Sequence, residues 1–220
     1  MMKSLPLFIC RYCLAVYSCV AFAKTAQAQT SADALIIPKK NFCAGVIYTN
    51  NSWTNYWEGS FKRNNGNIGK LSTDIYTLVG NYGLTNKLDV LFSAPYVTTH
   101  TSAGTLAGQH GLQDITLTLK WLAFRSGIGK GIFTFYAIAG GSIPLSNYEA
   151  DFQPMSIGMG SRSVAVRGLV NYQTGSFFIA GAGQYVRRDN ITIDRNSYYT
   201  TQLIYSNLVD IPNANNFIIS

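Results

Sequence analysis

His100 and His110 are the only histidines in the chain, and they share one stretch with Ser102 and Asp114. Serine, histidine and aspartate are the parts of a hydrolase relay, in which the imidazole takes the hydroxyl proton and the carboxylate orients the imidazole. The same groups are also potential metal ligands. Either chemistry needs the groups held in contact and braced by further hydrogen bonds, and this spacing enforces neither. Solvated loop histidines are therefore the expectation, with no catalytic residue and no metal. Gly127-x-Gly129-x-Gly131 imitates a phosphate loop. It precedes another strand pattern rather than a helix, so the dinucleotide reading fails and no cofactor is expected.

Three charged residues sit differently. Asp114, Lys120 and Arg167 fall on the polar parity of strongly alternating stretches. If those stretches form a barrel, the three are candidate lumen-lining residues that select solutes by field and size. The other reading is that opposite charges pair across a narrow interior and plug it. A small eight-stranded barrel favours the plug, because side chains nearly fill its lumen; a larger barrel favours the lining.

The alternation is clearest from Asn81 to Trp121. Leu88, Val90, Phe92, Ala94 and Tyr96 share one parity. Ile115, Leu117, Leu119 and Trp121 share one, with Asp114, Thr116, Thr118 and Lys120 on the other. Period two marks strands with one apolar and one polar face. Each run is about the ten residues a tilted strand needs to cross a bilayer. Further on, Phe133, Phe135, Ala137, Ala139 and Ile143 share a face, as do Val164, Val166, Val170 and Tyr172 against Ser163, Arg167 and Asn171.

The start of the chain reads as a secretory signal peptide over residues 1–28. Lys3 and Arg11 form a positive region, Leu14 to Ala23 an apolar core, and Ala26-Gln27-Ala28 a cleavage site. Removing it takes Lys3, Arg11 and Lys24 from the 17 basic residues, leaving 14 against 10 acids, so the net charge falls from +7 to +4. The basic balance needs no nucleic acid to explain it. Of the four cysteines, Cys10, Cys13 and Cys19 belong to this leader. Only Cys43 remains, so no internal disulfide is expected. The residues before Cys19 make a poor lipobox, since Tyr17 is bulky. Tyrosine (14) and phenylalanine (12) are plentiful and charged residues are 12%, which suits strands against lipid and not disorder.

Residues 29–220 are expected to form one domain. The expected strands are Asn41–Thr49, Leu71–Tyr82, Leu88–Thr99, Leu112–Ala123, Gly131–Pro144, Arg162–Tyr172, Phe177–Arg188 and Ser197–Val209, with a ninth, Asn215–Ser220, cut short. Pro95 cannot donate to a ladder and marks a bulge or an edge. The connections alternate long and short, as they do in outer-membrane barrels, where long loops face outward. Trp121, Phe124 and Tyr172 fit an interfacial girdle at the inner strand ends. Trp53, Tyr56 and Trp57 make a sticky outer patch or belong to a girdle. Arg187 and Arg188 close a strand near the outer rim, within reach of lipid phosphates.

Tyr82-Gly83-Leu84-Thr85-Asn86-Lys87-Leu88-Asp89, then Ala94-Pro95-Tyr96-Val97, then Gly111 with Asp114 to Lys120, resemble the MetA-pathway of phenol degradation family of bacterial outer-membrane proteins. The resemblance covers roughly residues 71–124 and is structural: a turn and two strands. It implies an outer-membrane β-barrel and passage of small aromatic or hydrophobic compounds. Family members are longer, with more strands, and this chain lacks a terminal strand ending on an aromatic residue.

The expectation is thus an all-β, antiparallel up-and-down transmembrane β-barrel behind a signal peptide, with eight full strands and a ninth stub visible: either a truncated chain, the favoured reading, or a small eight-stranded barrel with a tail. It would sit in the outer membrane with lipid as its partner and act as a passive channel. A closed structural or adhesive barrel is the alternative. A small lipid-modifying barrel enzyme, dependent on His100 or His110, is a third.

Overall fold

A computed structural model describes residues 30–64, 66–194, 197–199, 201–205, 208–211 and 216–219. The leader over residues 1–28 lies outside the described residues. Eight antiparallel strands follow one another around a single curled sheet. They are β1 Phe42–Trp53, β2 Leu71–Thr85, β3 Leu88–Thr101, β4 Asp114–Ile128, β5 Gly131–Pro144, β6 Ser163–Thr174, β7 Phe177–Arg188 and β8 Asn216–Ile219. The sheet is a half-barrel. Among the described residues, β1 pairs only with β2 and β8 only with β7.

The sheet exposes large apolar side chains on one face and buries polar ones on the other, beside a small apolar cluster of Tyr136, Ile138, Leu169 and Ala182. Leu78, Leu117, Leu119, Trp121, Val164, Val166 and Val170 are exposed on the convex face, whereas Asn81, Asp89, Lys120, Thr134 and Asn171 are buried on the concave one. Buried polar groups and exposed apolar patches are the informative exceptions to ordinary burial. Here they alternate residue by residue along the same strands. Asp74 shares the outward parity with Tyr76 and Leu78. It sits toward the long-loop end, where Tyr48 Oη and Asn50 Nδ2 each donate to it at 2.7 Å.

Two of the sheet's register shifts keep the alternation in phase. Pro95 lies where the neighbouring strand breaks: His110–Leu112 pairs with Tyr96 to Thr98 in one register, and β4 pairs with Leu88 to Ser93 in another. The Pro95 carbonyl accepts from Gln113 N at 2.9 Å on that side. A residue's N–H and C=O point the same way in a strand, so its missing donor faces the bulge. A second bulge falls between Leu122 and Phe124. It lets Trp121 and Phe124 both face outward although three positions separate them.

Long and short connections alternate throughout. Strands β2 and β3 are joined by Asn86–Lys87, β4 and β5 by Gly129–Lys130, and β6 and β7 by Gly175–Ser176. Gly129 and Gly175 have φ of 59° and 56°, and a glycine in that position is what the type II′ hairpin turn demands. The expected turns at Gly83–Lys87, Phe124–Lys130 and Gln173–Ser176 shrink accordingly, because the strands continue pairing beyond the apolar band.

Three expectations are corrected. Ser197–Val209 is not a strand of the sheet. Ser197–Tyr199 pairs with Leu203–Tyr205, and Ile191–Asp194 with Leu208–Ile211, so the segment is a long hairpin excursion. The eighth sheet strand is Asn216–Ile219, which the sequence reading took for a ninth. Asn50 to Lys70 is not all loop: β1 runs to Trp53, and Asn55–Glu58 pairs with Phe61–Asn64. The tips of these two excursions meet, with Tyr199 N donating to Glu58 Oε1 at 2.9 Å and the Phe61 and Tyr199 rings 5.2 Å apart. Strand pattern alone could not separate a sheet strand from a loop hairpin of the same composition.

The chain enters β1 through a turn at Pro38–Asn41, closed by Asn41 N to Pro38 O at 3.0 Å. Lys40, at φ 66°, pays about 1 kcal/mol for a left-handed backbone. Gly83 on β2 lies against this turn: a Cβ there would sit 2.4 Å from the Pro38 carbonyl oxygen and 2.7 Å from that of Ile37. Gly83→Ala should therefore cost about 1–3 kcal/mol and loosen the segment before β1. Limited trypsinolysis after Lys39 and Lys40 should accelerate; an unchanged cleavage rate would refute this packing.

Candidate functional site

Residues 30–37 form no strand. They cross the concave face as a strap, so their backbone groups need partners from side chains. Four strands supply them. On β3, Asp89 Oδ2 accepts from Ile37 N at 2.8 Å. On β5, Tyr136 Oη donates to the Ala34 carbonyl at 2.6 Å. On β4, Lys120 Nζ donates to the Thr30 carbonyl at 2.9 Å and to Asp33 Oδ1 at 2.7 Å. On β6, Arg167 Nη1 donates to the Ser31 carbonyl at 3.3 Å, while its Nε donates to Gln184 Oε1 on β7 at 2.7 Å. Between these polar contacts, Ala34 and Ile36 pack on Tyr136, Ile138, Leu169 and Ala182.

Lys120 is the centre of the arrangement. Its side chain has 0% exposure. It stands directly opposite Asp89 in the β3–β4 register, pairs with Asp33 from the strap, and holds its ammonium 5.6 Å from the Tyr136 ring centroid. Asn81 hydrogen-bonds the Asp89 carboxyl from β2. One carboxylate, Asp33, thus pairs directly with the buried ammonium, and a second, Asp89, stands opposite it across the strands. Arg167 is different: no acidic side chain forms an ion pair with it among the described residues.

A second closure covers the long-loop end. Asp114 faces inward at the start of β4 and accepts a hydrogen bond from Tyr148 Oη, which in turn accepts from Gly160 N at 2.9 Å. Burial, and then the Asp114 contact, push the Tyr148 hydroxyl well above its ordinary pKa. Thr99 Oγ1 donates to the Met155 carbonyl at 2.7 Å. Met155 and Ile157 are buried, as are Ile68, Leu71 and Val97. Beside the strap lie cavities of about 210 and 310 Å³ on the concave side.

All three charged candidates from the sequence stand on the concave face. Lys120 and Arg167 hold the strap, and Asp114 holds the loop 145–162. The residues of a Ser-His-Asp relay each have other partners. His100 Nδ1 lies 3.8 Å from Asp74, Ser102 Oγ accepts from Lys70 N at 2.8 Å, Asp114 binds Tyr148, and His110 lies opposite Thr98. Arg187 and Arg188 close β7 on opposite faces, paired with Val164 and Ser163. Trp53 and Tyr56 stack edge-on at 5.6 Å, and Trp57 is exposed.

Sequence reasoning missed Asp33, Asp89 and Tyr136. The signal present was Ile36-Ile37, an apolar pair ahead of the first expected strand, and the inward parity of Asp89 beside outward Val90. No family model, curated protein or solved structure matches the chain.

Removing one partner of a buried pair strands the other charge. Asp33→Ala should cost about 3 kcal/mol in denaturant unfolding, and adding Lys120→Met should recover most of it. At the other end, Tyr148→Phe should speed proteolysis within residues 145–162. The raised pKa sets a sign: the Tyr148 contribution is complete below the ordinary tyrosine pKa of about 10 and is lost as pH rises toward the folded value. Alkaline unfolding should therefore be less steep in Tyr148→Phe than in the parent.

Proposed function

We propose that this protein is an outer-membrane β-barrel of a double-membraned bacterium that passes small molecules by diffusion, with the strap as the obstacle in its path. The observation that carries the reading is the inverted sheet: apolar side chains outside, and Asn81, Asp89, Lys120 and Asn171 buried inside. Lipid rewards the first and a polar interior the second. Strands of 12–15 residues, as in β1 and β2, exceed the roughly ten that a tilted crossing needs. Sorted connections support the same orientation, with long excursions on one side and two-residue turns on the other. The resemblance over residues 71–124 agrees, and it supplies the suggestion that the solutes are small aromatic or hydrophobic compounds.

One specific observation favours a second reading. The strap and the loop 145–162 occupy the concave side from both ends, which suits a closed barrel that binds through its outer loops. Exposed Trp57 and the joined loop tips would then be the contact surface.

Two measurements decide. In protein refolded into lipid, Leu119→Arg should cost about 2–4 kcal/mol, as a cation at the bilayer midplane does. Equal stability of parent and variant would remove the membrane reading. In liposomes, the parent should leak small solutes and Asp33→Ala should leak more, because releasing Lys120 frees the strap. No leak from either would defeat passage and leave the closed barrel.

A further inference from the structure

Arg167 is an inward cation with no carboxylate paired to it among the described residues. Lys120 has Asp33 and Asp89 around it; Arg167 has only a neutral amide, Gln184, and a backbone carbonyl, that of Ser31. Arg167 is half-buried, a position where an anion can add to its two neutral partners, and its planar fork has further donors beyond those two bonds. Arg167 lines the cavity of about 210 Å³ that lies beside the strap. Across that cavity stand the hydroxyls of Thr116, Thr118, Ser142 and Ser163, the last two hydrogen-bonded to each other at 2.7 Å. Ile138, Ala165 and Val186 supply its apolar wall. Gly140 lets Thr118 lie close against its backbone, since a Cβ there would meet Thr118 Oγ1 at 2.7 Å.

We propose that this cavity binds a small monocarboxylate with an apolar body, the carboxylate on Arg167 and the body against Ile138, Ala165 and Val186. The charge count favours one negative unit: a single guanidinium balances a carboxylate, whereas a phosphate dianion would leave one negative charge without a partner beside it. Planar carboxylates also match the guanidinium fork in two parallel bonds. The volume is that of about seven waters at roughly 30 Å³ each, which suits a body no larger than one ring. The site rests on the proposed passage reading only in giving it a class of solute.

The test is calorimetric titration of detergent-refolded protein with benzoate, and with benzamide as the neutral isostere. Benzoate should bind saturably and benzamide about tenfold more weakly or less. Arg167→Gln should weaken benzoate by about ten- to a hundredfold, the range for a hydrogen bond to a charged group. Arg167 also holds the strap, so Ala165→Leu provides an independent variant that fills the cavity and leaves the arginine; it should abolish binding while the protein keeps its folded electrophoretic migration. Absent saturable binding, equal affinity for benzoate and benzamide, or benzoate affinity unchanged in both variants would each overturn the site. A liposome leak without benzoate binding would defeat the site and leave passage standing; binding without a leak would do the reverse.

Discussion

An ammonium with no access to water must be neutralised by what lies around it, and Lys120 sets this requirement for the whole concave face. Asp89 answers it from the adjacent strand, where the register places the two residues opposite each other. Asp33 answers it from the strap. The second answer has a structural consequence that the first lacks. It ties residues 30–37 to the middle of the sheet, and the Tyr136, Asp89 and Arg167 contacts then satisfy backbone groups that have no ladder of their own. The strap is held by polar satisfaction first and by the apolar contacts of Ala34 and Ile36 second.

The sheet that carries these groups depends on phase. A slip of one residue would send Lys120 into the convex face and Leu119 into the interior. The bulge opposite Pro95 and the bulge at Leu122/Phe124 are where the chain absorbs odd spacings without such a slip. Between them, the Asp89–Lys120 pair stays in register. The same phase puts Asp114 inside, where Tyr148 can reach it, and puts Asp74 outside, where Tyr48, Asn50 and His100 gather around it near the long loops.

The two closures of the concave face differ in kind. The strap uses ions and backbone carbonyls near the short turns, while the loop 145–162 uses one tyrosine hydroxyl and a few buried apolar residues near the long loops. What remains between them is lined by hydroxyls and one arginine. Polar networks of this sort are costly when half satisfied and specific when complete, and Asp89 Oδ1, buried with no hydrogen-bond partner among the described residues, is where this one is incomplete.

Much of the fold was legible because period two is written directly in residue order. Inward Asp114, Lys120 and Arg167, and outward Leu117, Leu119, Val164 and Val166, follow from parity alone, and so does the alternation of long and short connections. Strand ends were legible only roughly, since pairing continues past the apolar residues that announce it. The excursion over residues 191–211 was misread because its tyrosines and isoleucines have the same strand character as the sheet. The strap was illegible: residues 30–37 carry no period, and their partners lie 52 to 136 positions away along the chain. Local chemistry thus determined which face each strand residue takes, since neighbours in sequence alternate by backbone geometry. Only the folded chain decided what meets across the concave face, because those contacts join segments whose separation in sequence carries no trace of their approach in space.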